Sequence, residues 1–90
     1  MKRIRISVDA SCYMDKIEEI KYILKNKVQP LLRFHFNILD VYIDDVFVVI
    51  DIDVENSTMD YVDIVNYCHD LCQTILFEKG YDCIIACYTA

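Results

Sequence analysis

The residue types best able to do chemistry in this chain are carboxylates, and they are gathered in its middle. From Asp40 to Asp63 there are eight Asp and Glu and no Lys or Arg. Asp44 and Asp45 stand as a pair between two apolar runs, and Asp9 ends an alternating run near the N-terminus. Brought together, these three could hold two hard cations for phosphoryl transfer or nuclease chemistry, or one cation without catalysis. The competing reading is a turn, because an Asp side chain bonds its own local backbone and suits turns. Asp51, Asp53 and Glu55 alternate, so they share one strand face at steps of about 6–7 Å. They could support a cation, but Arg3 and Arg5 are placed to neutralise two of them.

Cysteine and histidine are the other candidates. Cys68, His69, Cys72, Cys83 and Cys87 are of metal-ligating types, yet their spacing opposes a shared site. Cys83 and Cys87 on one strand lie about 13 Å apart. Two thiolates on one zinc, each bonded at about 2.3 Å, cannot be much more than about 4 Å apart. Cys68 and Cys72 share a helix face with Val65, Ile75 and Leu76, which reads as core. His69 is turned away by one position. Cys12 stands alone in Cys12-Tyr13-Met14-Asp15, without the second thiolate that small copper-carrying domains place there. It could act as a nucleophile if a helix N-terminus lowered its pKa. The two histidines, His35 and His69, are both remote from it in sequence. The sequence therefore calls for no metal and no cofactor, the Asp9/Asp44/Asp45 alternative aside.

Something must position these groups, and the hydrophobic period says what. Ile4, Ile6 and Val8 alternate with Arg3, Arg5 and Ser7, a strand over 2–8 with one buried face. Tyr13, Ile17, Ile20, Leu24, Val28 and Leu31 then recur at intervals of three or four, predicting an amphipathic helix over 13–35. Ser11 is its expected N-cap, and Pro30 should kink or restart it. Strands follow over 38–43 and 46–54 around an Asp44-Asp45 turn. A second helix spans 59–79, with a Ser57/Asp60 capping box and Gly80 at its C-terminal end. A last strand covers 82–88. The order is βαββαβ.

A register test joins these pieces. A tight Asp44-Asp45 turn pairs Ile43 with Val46, Val41 with Val48 and Leu39 with Ile50. Setting the first strand antiparallel to the third puts Ile4, Ile6 and Val8 opposite Ile52, Ile50 and Val48. The same register puts Arg3 opposite Asp53 and Arg5 opposite Asp51. A slip of one residue would send every set to the wrong side. The expected fold is α+β and ferredoxin-like, one domain over 1–90: a four-stranded antiparallel sheet in order 4-1-3-2 with two helices on one face. Its uncovered face would carry Ile38, Tyr42, Phe47 and Val49, an apolar patch suited to a partner or to a second copy in a homodimer.

Tyr42-Ile43-Asp44-Asp45 resembles the Tyr-x-Asp-Asp hairpin of polymerase palm domains. In that fold a further Asp ends the first strand, as Asp9 does here, and Asp9-Ala10-Ser11-Cys12-Tyr13 is similar to the matching palm motif. The resemblance covers about ten residues in two pieces and implies a palm-like metal site at Asp9, Asp44 and Asp45. Fingers, thumb and a Gly-rich nucleotide loop have no counterpart.

Charge and composition set the wider expectation. The 90 residues carry a net charge of −6, with 56% hydrophobic residues, one Gly and one Pro. Residues 1–33 hold eight Lys/Arg against four Asp/Glu, and residues 34–90 hold one Lys against eleven. Direct nucleic-acid binding, which rests on neutralising phosphates, is opposed by the negative majority of the surface. RNA reading by an open sheet is opposed by Asp51 and Asp53. One Gly excludes phosphate cradles and the Gly-rich loop of acylphosphatases, and disfavours amino-acid-sensing regulatory domains. No apolar run is long enough to cross a membrane. An odd five cysteines and no secretory apolar region predict reduced thiols in the cytoplasm.

The expectation is a non-enzymatic acidic binding protein, a homodimer, docking on a basic partner that itself handles nucleic acid. Asp40, Asp44, Asp45, Glu55, Asp60 and Asp63 would supply the docking surface. Small phage-encoded inhibitors, anti-CRISPR proteins among them, are similar in type: short, acidic and without catalytic motifs. The alternatives are the metal-dependent phosphoryl-transfer or nuclease domain and a small-molecule sensor at a dimer interface.

Overall fold

Residues 3–90 are described in a computed structural model. Strand β1 (Arg3–Asp9) leads through a 3₁₀ segment (Ser11–Lys16) into a helical arm. The arm is built of α1 (Ile17–Ile23), a π-helical turn (Leu24–Val28) and α2 (Gln29–Leu32). Strands β2 (Asn37–Asp44) and β3 (Phe47–Asp53) form a hairpin, and α3 (Tyr61–Glu78) precedes β4 (Ile84–Thr89). The strands make one antiparallel sheet ordered β2-β3-β1-β4. That is the expected order, counted from the opposite edge.

β1 and β3 meet in the expected register. Ile4, Ile6 and Val8 lie opposite Ile52, Ile50 and Val48, while Arg3 and Arg5 lie opposite Asp53 and Asp51. All six aliphatics are fully buried. They join Ile20, Leu24, Val28 and Leu32 of the arm and Ile64, Cys68, Cys72 and Leu76 of α3 in one hydrophobic cluster. Burying an aliphatic side chain of this size stabilises by about 1.5–3 kcal/mol. Both helical sets repeat every four residues, slightly longer than an α-helical turn. In the arm the π turn absorbs that excess: the Gln29 N–H reaches back five residues to the Leu24 carbonyl. The break expected at Pro30 is thus a widened turn just ahead of it, where Pro30 begins a new α-helical turn without needing an N–H.

The arm is also tied to the entry of β4. The Tyr81 hydroxyl donates to Glu19, and this bond pushes the Tyr81 pKa up to about 12. Tyr13 meets Tyr81 edge-on at 5.1 Å and accepts a hydrogen bond from the Asp82 N–H.

Several local expectations are corrected. The hairpin turn is Asp45-Val46, with Asp44 opposite Phe47 and Ile43 opposite Val48. Asp45 takes a positive φ of 55°, which Asp tolerates better than bulkier residues. The pairing slides by two residues, so the faces survive. Further along, a bulge between Ile38 and Asp40 reverses them: Ile38 pairs with Ile52. Ile38, expected on the uncovered face, therefore packs against the core, and Leu39 is left exposed.

Ser11 and Ser57 do not cap helices either. Ser11 donates its N–H to Asp9, and Ser57 Oγ accepts from the Met59 N–H. Asp60 is the extended residue before α3. Gly80, at φ 91°, ends α3 as expected. Tyr81 N–H bonds Leu76 and Gly80 N–H bonds Phe77, the paired bonds of a Schellman ending.

Candidate binding site on the open sheet face

The face opposite the helices is a lattice whose rows follow from strand pairing. Across β2, β3, β1 and β4 the first row is Asp44, Phe47, Asp9 and Ile84. The second is Tyr42, Val49, Ser7 and Ala86, and the third is Asp40, Asp51, Arg5 and Tyr88. A concavity of about 400 Å³ opens over these rows. Its volume falls within the range of small ligand sites. The centre of the second row is deep: Val49 is 3% and Ser7 9% exposed. Ala86 is small, so the floor is made of short side chains. Phe47, Ile84, Tyr42 and Tyr88 rise around it.

Charge on this face is arranged in two ways. In the third row Arg5 Nε donates to Asp51 at 2.8 Å, and Nη2 donates to its other oxygen at 3.3 Å. The Tyr42 hydroxyl adds a third bond to Asp51 at 3.1 Å. Asp51 raises the Arg5 pKa through this bond and its charge. Desolvation, then Asp51, raises that of Tyr42, so the phenol keeps its proton. In the first row the carboxylates belong to Asp9 and Asp44. Hydrogen bonds from Ser11 lower the Asp9 pKa and keep it charged. Asp44 is exposed beside the turn.

The second ion pair read from sequence does not form. Asp53 is opposite Arg3, but among the described residues the pair makes no salt bridge. Asp53 Oδ1 accepts the Glu55 N–H at 2.9 Å instead. A strand end lets an Asp side chain satisfy its own backbone, and that local bond wins.

The carboxylates named from sequence fall in two places. Asp40, Asp44 and Asp45 lie on β2 or its turn, and Asp9 and Asp44 line the same concavity. Glu55, Asp60 and Asp63 lie at the far end of β3 and the start of α3, about 20 Å along the strand from Phe47. Asp63 sits in the first turn of α3, where a negative charge suits the helix dipole. The apolar patch keeps Tyr42, Phe47 and Val49 and loses Ile38. Among the described residues no three of His, Cys, Asp and Glu gather so as to hold a metal ion.

The thiols behave as core. Cys68 and Cys72 are fully buried; burial pushes the Cys68 pKa up to about 12 and raises that of Cys72. All five cysteines are free, and Cys12 is exposed. His69 is half-exposed and faces Asp70 at 3.4 Å.

The contribution of β4 was missed in the sequence. Ile84, Ala86 and Tyr88 alternate, and their pairing with Asp9, Ser7 and Arg5 makes one wall of the concavity. That alternation was the available signal. No helix among the described residues is long and apolar enough to cross a membrane. No family model matches the chain, and no curated protein or solved structure matches it either.

Proposed function

We propose that this ferredoxin-like chain is a non-enzymatic binding protein that docks, through its open sheet face, on a basic surface of a nucleic-acid-handling protein. One observation carries the reading. A sheet face that no helix covers combines an aromatic-walled hollow with a carboxylate rim of Asp9 and Asp44, and Arg5, the one cation lining it, is already paired with Asp51. Rings supply contact area and carboxylates supply sign and steering. A protein built to bind phosphates presents the complementary surface. The test is capture from lysate by the native chain and by a variant carrying Asp40→Lys and Asp44→Lys. The reading expects a basic protein that is retained by the native chain, released by raised salt and lost with the variant. Retention that ignores both salt and charge reversal overturns it.

Self-association is a second reading with its own observation. Ala90 N–H bonds the Arg3 carbonyl, and antiparallel pairs alternate in bonding. Residues 85, 87 and 89 therefore turn their backbone groups to the free edge of β4. That strand has no charge, proline or bulge, whereas the β2 edge has a bulge, Asp40 and Asp44. Uncharged straight edges are the ones that pair. A second copy pairs there, making one eight-stranded sheet. Light scattering should give a dimer mass, and Thr89→Pro should give the monomer. A monomeric native chain removes this reading.

A further inference from the structure

We infer that the open-face concavity receives one arginine side chain of the docked partner, gripped by Asp9 and Asp44 across the Phe47 ring, with Ser7 at the floor. The inference rests on the docking reading and gives it a chemical address. Ser7 is the observation that points to a ligand. It is 9% exposed and lines the concavity. Its hydroxyl bonds no described residue, yet it is not sealed in, since no described side-chain N or O is both fully buried and unbonded. A nearly buried residue whose unbonded hydroxyl opens on a hollow offers a ligand there a donor and an acceptor.

Charge sets the sign of that ligand. Arg5 is the one cation among the lining residues, and Asp51 already neutralises it. Asp9 and Asp44 remain, which leaves the hollow negative. Shape then selects among cations. Asp44, Phe47 and Asp9 are successive across three strands, so the carboxylates flank the ring with backbones about 10 Å apart. A divalent ion needs oxygens at about 2.0–2.6 Å and several of them; no such cluster exists among the described residues. A guanidinium is planar, stacks on an aromatic ring and donates from both edges. A lysine ammonium is a compact point charge and reaches one edge only. Ser7 and Ala86, both short, leave depth for the guanidinium, and Ile84 lies against its methylene stem.

The probes are three short peptides that differ at one position, with Arg, Lys or neutral citrulline. They are titrated into the full chain while backbone amide shifts are followed. The Arg peptide should move Ser7, Phe47 and Ala86. The Lys and citrulline peptides should bind about tenfold more weakly, the usual cost of losing charge-assisted bonds. Asp9→Asn with Asp44→Asn should weaken the Arg peptide by a similar factor, and Phe47→Leu should weaken it while keeping the apolar contact. Melting curves establish that each variant is folded. Equal binding of all three peptides overturns the arginine assignment. So do shifts confined to Asp60 and Asp63, although acidic docking then survives. If no basic peptide binds anywhere and no basic partner is captured, the docking reading itself has failed.

Discussion

The two faces of one sheet divide the work of this molecule. On the helix side, β1 and β3 present Ile4, Ile6, Val8, Val48, Ile50 and Ile52, every one fully buried. On the other side the same strands present Arg5, Ser7, Asp9, Phe47, Val49 and Asp51 in alternation with them. The first face has one chemistry and is filled by the arm and α3. The second mixes rings, a hydroxyl and charges, and no other described element covers it. Under the docking proposal, stability is concentrated on the uniform aliphatic face and specificity on the mixed one. A sheet with period-two side chains can keep the two tasks apart, because a change on one face leaves the other face's packing in place.

The sharpest way to break that division is to truncate one residue on each face. Ile50→Ala, on the helix side, should cost about 2–5 kcal/mol, the transfer loss plus a cavity that the two helices cannot fill. Phe47→Ala, three residues away on the open side, should cost under about 1 kcal/mol because Phe47 is 37% exposed and lies outside the core cluster. Urea unfolding with an unchanged slope reads both values. If the Phe47 variant loses as much as the Ile50 variant, the open face is a second core and not a binding surface.

Alkaline pH probes the helix side through its buried thiols. Cys68 and Cys72 belong to the helix side, and burial holds the Cys68 pKa at about 12 against an ordinary 9.0. In the unfolded chain these thiols ionise near 9, while in the folded chain they stay protonated. The unfolded state therefore binds fewer protons between pH 9 and about 12, and stability falls with rising pH across that window. The slope is about 1.4 kcal/mol per pH unit for each thiol so held. Stability is fully retained below pH 9. Cys68→Ala with Cys72→Ala should make the decline shallower, leaving the share of Tyr42, Tyr81, Cys83 and Cys87, whose pKa values are also raised. A decline equally steep in the double variant would show that the thiols are not its source.

The next effect is smaller and belongs to neither face. Gly80 ends α3 at φ 91°, and a Cβ there would meet nothing within 4 Å. Gly80→Ala should cost about 1 kcal/mol through backbone strain alone. A neutral Gly80→Ala would mean that the Schellman ending contributes little and that Tyr81, with its Glu19 bond, holds the entry to β4.

What could be read from the sequence follows the same division. The pairing of β1 with β3 was legible because two independent patterns, aliphatic and ionic, agreed on one register. The hairpin was harder: Asp44-Asp45 carries turn chemistry at both positions, and without a glycine nothing marks which residue takes the positive φ. The bulge at Leu39 left no trace, since Ile38 and Leu39 are both apolar and either could face the core. The candidate site was legible in halves. Tyr42, Phe47, Val49, Asp9 and Asp44 were found, but the β4 wall was not, because its pairing with β1 has no charge pair to fix it. The role proposed for Ser7 depends on depth. Depth arises from the rings around a residue and not from the residue itself.

The smallest expected change in stability makes the finest distinction between the faces. Ser7→Val replaces a hydroxyl with a β-branched side chain that favours strands and fills the floor of the concavity. If the hydroxyl serves only a ligand, stability should stay within about 0.5 kcal/mol of the native chain or rise slightly, since stabilising a binding site commonly costs function. The same substitution should abolish binding of the Arg peptide by removing both the acceptor and the depth. Adjacent on the strand, Ile6→Ser should unfold much of the protein, because it places an unpaired hydroxyl among Ile4, Val8 and Ile50 and opens a cavity there. Were Ser7→Val instead to lose more than about 1 kcal/mol, beyond the usual range for positions away from a packed core, the hydroxyl would be structural. The open face would then be organised for stability like its opposite, and the concavity would lose its claim to a ligand.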